Sequence, residues 1–288
     1  MPHVECNGLQ LAYESFGSPT DPPLVLVMGL GTQLLGWPVE FCRLIADRGF
    51  QVVRFDNRDI GLSTYLDDLP TPDLAAIMGG DYATVPYLMS DFADDVVGLF
   101  DALGFAKAHV VGASMGGMIV QQLAIDHPDR LLSLCSIMST TGDPKVGQGT
   151  PETLALLTRS PATSRDEAIE MGVAGLQMLS SPGYPATDDE QRVKAAAAYD
   201  RAFHPAGALR QTAAIVGSPD RTEGLRSVTV PSLVIHGTDD PLVNISGGEA
   251  TVAAIPGATW LAVPGMGHDI PPGVWPVVVD AIVANTKA

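Results

Sequence analysis

Cysteine is scarce in this sequence of 288 residues and occurs at Cys6, Cys42 and Cys135. The three cysteines are odd in number and far apart, and no pair has Cys-x-x-Cys spacing. This pattern favours free thiols in a reducing compartment. The first residues show neither a basic segment nor an apolar run, so we expect no signal peptide. Together these features predict a cytoplasmic protein.

Basic residues are also few: the sequence has 16 Lys and Arg but 33 Asp and Glu, which gives a formal net charge of −17. Such a charge argues against nucleic acid or an anionic membrane as a partner and is consistent with a solvated acidic surface. No apolar run reaches the ~18 residues that a membrane-spanning helix needs. We therefore predict a small-molecule substrate, no nucleic acid and no membrane partner, and either a monomer or a homodimer.

Apolar residues make up 46% of the chain, and short apolar runs alternate with segments of helical spacing. This alternation predicts an α/β fold with a mostly parallel eight-stranded sheet and helices on both faces. The predicted strands are 2–6, 9–16, 24–28, 51–55, 108–113, 131–138, 232–235 and 259–263. The predicted helices are 38–49, 90–103, 115–127, 247–254 and 273–285. Ser90 or Asp91 is expected to cap the second helix, Gly104 to end it, and residues 66–86 to form a loop.

Residues 143–225 differ from the rest, because strand-like runs vanish and Ala, Met, Gly and Pro dominate. Helical pieces are predicted at 151–158, 166–179, 188–202 and 207–215. We interpret this stretch as a helical cap, or lid, inserted after the sixth strand. The core domain would then consist of residues 1–142 and 226–288.

The sequence Gly-Ala-Ser-Met-Gly places Gly112 two residues before Ser114 and Gly116 two residues after it. This is the G-x-S-x-G spacing of a nucleophile elbow, in which a strained strand-to-helix turn lifts the serine hydroxyl above a sheet edge. Residues two before and two after the serine are forced together, which favours glycine at both positions. The pattern alone also fits a glycine-rich turn with an incidental serine, so the rest of the chain must decide.

A nucleophilic serine needs a base, and the base needs an acid that orients it. His268 and the pair Asp239 and Asp240 each follow a predicted strand, and the carboxyl ends of parallel strands meet at one sheet edge. We predict Ser114 as the nucleophile, His268 as the base and Asp240 as the acid, with Asp239 as the alternative. Among the other histidines only His204, in the predicted cap, competes as a second pocket histidine.

Two backbone amides are needed to stabilise the oxyanion of a tetrahedral intermediate. We predict those of Met115 and Leu30, with Gly29 as the alternative to Leu30. This chemistry requires no cofactor and no metal, and we predict none. The predicted substrate-binding residues flank these loops or lie in the cap: Gly29, Trp37, Met28, Met266, Met178 and Tyr184. Their soft, apolar character predicts a moderately hydrophobic, neutral ester.

Five motifs resemble those of α/β-hydrolase-fold enzymes and follow one another in the same order. Along the chain they are Phe-Asp-Asn-Arg-Asp-Ile-Gly-Leu-Ser, Val-Val-Gly-Ala-Ser-Met-Gly-Gly, His-Pro-Asp-Arg, His-Gly-Thr-Asp-Asp-Pro and Gly-Met-Gly-His. The resemblance covers nearly the whole chain. It implies an α/β-hydrolase fold with Ser114, Asp240 and His268 as the triad. It also implies the amides of Leu30 and Met115 as the oxyanion hole.

Two positions depart from many members of that family, with Met-Gly at 28–29 in place of His-Gly and Arg-Asp at 58–59 in place of Arg-Gly. With Leu-Gly-Trp-Pro at 35–38, they resemble the branch that contains aclacinomycin methylesterase. Dehalogenases and most epoxide hydrolases of this fold have Asp at the elbow, whereas Ser114 implies acyl transfer.

The resemblance therefore implies a serine carboxylic-ester hydrolase that acts through an acyl-enzyme. Its substrate would be a small to medium ester, with a methyl ester as one candidate. Two alternatives stay open from the sequence. One is perhydrolase or cofactor-free haloperoxidase-like activity on the same triad, and the other is a non-hydrolytic ligand receptor on this scaffold.

Overall fold

A sheet of eight strands forms the centre of the protein, whose computed structural model describes residues 1–288 apart from the side chain of Thr158. The strands are β1 His3–Cys6, β2 Leu9–Phe16, β3 Pro23–Val27, β4 Gln51–Phe55, β5 Ala108–Ala113, β6 Leu131–Ile137, β7 Ser232–Gly237 and β8 Thr259–Val263. Their order in the sheet is β1-β2-β4-β3-β5-β6-β7-β8. The two pairs made by β2 are antiparallel and the other pairs are parallel, which confirms the predicted mostly parallel sheet of eight strands.

Helices connect the strands. They are α1 Val39–Ala46, α2 Leu74–Met78, α3 Met89–Leu103, α4 Met115–Asp126, α5 Pro151–Leu154, α6 Arg165–Leu179, α7 Asp188–Arg201, α8 Pro205–Gly217, α9 Thr222–Leu225, α10 Ser246–Ala254 and α11 Trp275–Asn285. Within the described part of the chain, no helix is long and apolar enough to cross a bilayer. The cytoplasmic location stays a prediction.

Two apolar layers bury the two faces of the sheet. Val25 and Val27 of β3 belong to the layer formed with α3 and α4, while Leu24 and Leu26 belong to the layer formed with α1 and α11. Successive strand side chains point to opposite faces, so a central strand with helices on both sides is apolar at every position. This arrangement leaves the carboxyl edge of the parallel strands for the loops that carry the predicted site.

Helix α3 corrects one detail of the sequence prediction. It begins at Met89, so neither Ser90 nor Asp91 is the capping residue. Asp91 instead lies in the first turn, where its carboxylate accepts a hydrogen bond from the amide of Leu88 at 2.8 Å. Gly104 ends the helix as predicted, with φ 76° in the left-handed region.

The segment 66–86 is not a continuous loop, because it contains helix α2. The side chain of Asp73 caps this short helix by accepting from the amide of Ala76 at 3.0 Å. A five-residue helix is too short for apolar periodicity to reveal it. The last helix also differs, because the turn Pro272–Val274 is a 3-10 helix that precedes α11.

The chain between β6 and β7, called here the helical segment, contains α5 to α9 and forms no strand in the described residues. Its two ends are joined where it leaves and re-enters the sheet. The amide of Arg221 donates to the carbonyl of Thr141 at 2.9 Å, and the hydroxyl of Thr222 bonds that of Thr141 at 2.9 Å. Division into a core and a cap domain at 143–225 remains a proposal.

Candidate active site

Ser114 lies where strand β5 ends and helix α4 begins. Its backbone has φ 58° and ψ −121°, a strained conformation for a residue with a side chain. Two backbone hydrogen bonds hold the turn: the amide of Ser114 donates to the carbonyl of Ile137 at 2.9 Å, and the amide of Gly117 donates to the carbonyl of Ser114 at 2.8 Å. This sharp strand-to-helix turn is the geometry predicted for a nucleophile elbow.

Close backbone contacts explain the two glycines of the elbow. A Cβ atom at Gly112 would lie 2.0 Å from the carbonyl oxygen of Gly116, and a Cβ atom at Gly116 would lie 2.1 Å from that of Val27. Both obstacles are backbone atoms in the centre of the fold, so they cannot rotate away as a side chain would.

We expect Gly112→Ala to lower the free energy of unfolding by about 3 kcal/mol, because a methyl group placed against fixed backbone strains the packing. Urea denaturation measures this change. Gly175→Ala in helix α6 is a matched control, because a Cβ atom there meets only the flexible guanidinium of Arg159, at 3.5 Å. Equal stability of the two variants would contradict the packing argument.

Three side chains from different loops form one hydrogen-bonded chain at the sheet edge. Nε2 of His268 lies 2.9 Å from Oγ of Ser114, and Nδ1 lies 2.7 Å from Oδ2 of Asp240. With Asp240 ionised, Nδ1–H of His268 donates a hydrogen bond to the carboxylate, and Nε2 accepts a hydrogen bond from the Ser114 hydroxyl. The residues follow β5, β7 and β8, so the parallel sheet brings distant parts of the chain together.

Asp240, rather than Asp239, is the carboxylate that contacts the histidine. Asp239 is exposed, and its Oδ2 accepts hydrogen bonds from the hydroxyl of Thr238 at 2.6 Å and the amide of Gly265 at 3.1 Å. Asp240 is 6% exposed and points toward His268. The structure therefore places together the three residues that we favoured from the sequence.

The surroundings of Asp240 keep it ionised. Burial raises its pKa, but hydrogen bonds from His236, His268 and the backbone outweigh burial and lower the pKa from 3.8 to about 2. The amides of Leu242 and Val243 donate to Oδ1 at 2.9 and 2.8 Å. Nε2 of the buried His236 lies 2.8 Å from the carbonyl oxygen of Val243 and 3.4 Å from Oδ2 of Asp240.

The two predicted oxyanion donors belong to the two segments that border the serine. Met115 is the first residue of α4, so its amide is free of the helix's own hydrogen bonds. The loop with Leu30 passes close to the nucleophile, because a Cβ atom on the preceding Gly29 would lie 3.0 Å from Cβ of Ser114. Among the described residues, neither the Leu30 nor the Met115 amide donates to another protein group.

The loop that carries Leu30 is held by side chains from elsewhere in the chain. Gln211 of helix α8 is fully buried; its Oε1 accepts from the amide of Gly31 at 2.8 Å, and its Nε2 donates to the carbonyl of Arg58 at 2.8 Å. Nδ2 of Asn57 donates to the carbonyl of Met28 at 2.8 Å. Sequence reasoning missed Gln211, and no local pattern could have revealed it, because Gly31 is 180 residues away.

The structure also explains Asp59, which stands where many α/β hydrolases have glycine. Asp59 has φ 68°, a conformation that glycine adopts freely. Its buried carboxylate accepts two hydrogen bonds from Arg210 of α8, at 2.8 and 2.7 Å, one from the hydroxyl of Tyr87 at 2.8 Å and one from the amide of Leu66 at 2.7 Å. Burial raises the pKa of Asp59, but these donors outweigh it and lower the pKa. The departure therefore anchors α8 to the turn that follows β4.

The predicted substrate-binding residues do not form one group. Gly29 borders Ser114, as described above. Trp37 and Met266 are fully buried, and Met28 nearly so, in the layer formed with α1 and α11. The other two lie in the helical segment: Met178 is 39% exposed, whereas Tyr184 is partly buried and packs against the same apolar layer. Their role in substrate binding stays a prediction.

His204, the competing histidine, has contacts separate from the triad. Its ring stacks on Tyr65 with centroids 3.8 Å apart. Its Nε2 lies 3.2 Å from Oδ1 of Asp67 and 3.2 Å from Nη2 of Arg210. The structure thus places His204 beside the group that anchors α8.

Comparison with known proteins agrees with this architecture. A family model described as the alpha/beta hydrolase fold matches residues 22–170, and the chain belongs to this family. A rhodomycin D methylesterase of Streptomyces sp. (strain C5) is 30% identical over an alignment of 298 positions, which covers 96% of this chain and 94% of the relative. A second rhodomycin D methylesterase, from Streptomyces peucetius, is 30% identical over an alignment of 299 positions with the same coverage. The predicted resemblance to a methylesterase branch is thereby confirmed.

The solved structure of the enol-lactonase from Burkholderia xenovorans LB400 shares the fold, with a TM-score of 0.75 at 24% identity over the whole of both chains. This likeness confirms the predicted α/β-hydrolase fold.

Proposed function

We propose that this protein is a serine carboxylic-ester hydrolase that acts through an acyl-enzyme. The observation that carries the proposal is the continuous chain from Oγ of Ser114 through His268 to Asp240, with distances of 2.9 and 2.7 Å. The closeness of Gly29 to Ser114 and the place of Met115 at the start of α4 support it, because they bring the loop of Leu30 and the first amide of the helix near the nucleophile. A nucleophile, a base, an oriented acid and two donors are the groups that acyl transfer requires.

In the first half of the reaction, Oγ of Ser114 attacks the ester carbonyl carbon while Nε2 of His268 takes the hydroxyl proton. The carbonyl oxygen becomes an oxyanion, to which the amides of Leu30 and Met115 donate. Asp240 stabilises the imidazolium cation that forms. When the carbon–oxygen bond to the alcohol breaks, His268 returns the proton to the leaving oxygen, and the acyl group stays on Ser114.

In the second half, water replaces the alcohol. His268 takes a proton from water, the hydroxide attacks the acyl carbon, and a second oxyanion forms in the same place. Its collapse breaks the bond to Ser114, which recovers its proton from His268. The products are a carboxylic acid and an alcohol, so no cofactor takes part in the proposed reaction.

The substrate class in this proposal is a methyl ester of a hydrophobic carboxylic acid. The methyl group rests on the two relatives whose names describe them as methylesterases, and the hydrophobic acid rests on the apolar side chains predicted for the pocket. The acyl group would lie between the sheet edge and the proposed cap at 143–225. Residues near the end of α6, including Met178 and Tyr184, are the proposed apolar lining on that side.

A panel of neutral esters tests the proposal. The acids should range from acetic to polycyclic aromatic, each as its methyl and butyl ester, with release of acid and alcohol measured separately. We expect turnover of methyl esters of small to medium apolar acids, together with an acyl adduct on the Ser114 peptide in mass spectrometry after rapid acid quenching. Absence of both turnover and adduct would overturn the proposal. Peracid formation from acetate and peroxide faster than any ester turnover would favour a perhydrolase instead.

A further inference from the structure

The loop that carries His268 lies against the turn that follows helix α6 of the helical segment. Ser181 is at the centre of this contact and is fully buried. Its hydroxyl accepts a hydrogen bond from the amide of Gly267 at 2.8 Å and donates one to Oδ1 of Asp269. A single hydroxyl therefore bonds the residue before the histidine and the residue after it.

The histidine itself is bonded to the same turn. The amide of His268 donates to the carbonyl of Leu179 at 2.8 Å. Leu179 is the last residue of α6, and its carbonyl is among those that the helix cannot satisfy internally. Three consecutive residues around the base are thus bonded to residues 179–181, which lie in the helical segment.

Glycines allow the turn after α6 and the loop of His268 to approach this closely. A Cβ atom at Gly267 would lie 2.7 Å from the carbonyl oxygen of Ser180, and one at Gly183 would lie 2.9 Å from Cα of Gly265. The amide of Gly183 also donates to the carbonyl of Gly265 at 2.9 Å. The spacing Gly265-x-Gly267-His268 therefore serves close contact with the helical segment.

These bonds restrict the direction of the imidazole. Fixing the groups on both sides of His268 restrains its φ and ψ, and hence the direction of its Cα–Cβ bond. The side chain keeps two rotatable bonds, and its torsion angles must allow the ring to contact both Ser114 and Asp240. A base that moves by about 1 Å can lose roughly a hundredfold in rate.

We propose that Ser181 is a positioning residue for the base His268, so that the helical segment helps to orient the triad. This inference rests on the proposed function, because it assigns Ser181 a task in the same reaction. Ser181 does not touch the reacting atoms. It acts through the backbone and side chain of the residues on either side of His268.

The test compares Ser181→Ala with the neighbouring Ser180→Ala. The hydroxyl of Ser180 donates only to the carbonyl of Gln177, at 2.8 Å, so its loss leaves the histidine loop untouched. We expect Ser181→Ala to lower kcat roughly ten- to hundredfold with KM changed by less than about threefold. Ser180→Ala should keep the wild-type kcat, and Ser181→Thr, which retains the hydroxyl, should recover most of the loss.

A second readout uses the rate at which a fluorophosphonate probe labels Ser114, which needs the base but no natural substrate. Labelling of Ser181→Ala should slow by a similar factor. If the wild-type protein is neither labelled nor active on any ester, the proposed function fails. If the wild type is labelled and folded Ser181→Ala is labelled equally fast, only the positioning role fails.

Two further outcomes also decide the matter. A rise in KM at unchanged kcat would show that Ser181 shapes the substrate site instead. If Ser181→Ala does not fold, Asp269→Ala replaces it, because this variant removes one of the two hydroxyl bonds. We expect Asp269→Ala to lose several-fold in kcat at similar KM, and full activity in that variant would overturn the proposal.

Discussion

Replacement of Ser114 by alanine should lower kcat/KM for the best ester by about 10⁴-fold or more. The variant keeps the two predicted oxyanion donors and the substrate site but has no atom that can form the acyl-enzyme. Residual activity would then come from water attack assisted by the remaining groups. Steady-state rates at high enzyme concentration measure the loss, and circular dichroism checks the fold.

The structure also predicts how Ser114→Ala combines with a change in the base. Because Ser114 and His268 act as one unit through the 2.9 Å contact, His268→Ala and the double variant should retain about the same residual rate as Ser114→Ala. Ser133→Ala is the matched control, because it removes a buried hydroxyl that bonds His109 and does not touch the triad. The mechanism would be contradicted if the double variant lost activity by the product of the two single-variant factors. Full activity of Ser114→Ala would contradict it as well.

Asp240→Asn should reduce kcat by about 10⁴-fold while KM changes little. Asparagine can present its NH₂ group to Nδ1 of His268 and favour the wrong tautomer, and it removes the negative charge that stabilises the imidazolium. Asp239→Asn makes the same chemical change at the adjacent, exposed position and should keep most of the activity. A larger loss for Asp239→Asn than for Asp240→Asn would reverse our assignment of the acid.

Asp240 should also contribute to acid stability. The pKa of Asp240 is 3.8 in the unfolded chain and about 2 in the folded protein, so the folded state favours the ionised form. The resulting stabilisation, about 2 kcal/mol, is present above pH 4 and is lost as the pH falls toward 2. We expect the stability difference between wild type and Asp240→Asn, measured by urea denaturation, to narrow over that range. A difference that does not depend on pH would contradict the lowered pKa.

Several elements could be predicted from short-range patterns. Strands β4 and β8 have the predicted bounds, because an apolar run between polar turns needs no distant information. The start of α3 was misplaced, because a serine and an aspartate both suit a helix N-terminus and only the backbone shows which residue is helical. Helix α2 was missed because one helical turn has too few positions for a period.

Some residues of the candidate site could likewise be predicted from short-range patterns, whereas others could not. Five residues were enough to nominate Ser114, because the steric demand for Gly112 and Gly116 acts between neighbours along the chain, and the later motifs were needed to favour it. Asp240 and His268 could be nominated by their place after predicted strands. The choice between Asp239 and Asp240 needed coordinates, because adjacent side chains differ mainly in direction.

The sequence by itself determined the fold class, the nucleophile elbow and the order along the chain of Ser114, Asp240 and His268. It could do so because strand periodicity and glycine spacing reflect steric constraints between residues that are close along the chain. Tertiary structure alone decided what holds these residues in place. Gln211 reaches Gly31 across 180 residues, and Ser181 reaches Gly267 across 86. Such partners leave no periodic trace in the chain, because a single hydroxyl or amide gains its role only when packing brings a distant backbone within about 3 Å.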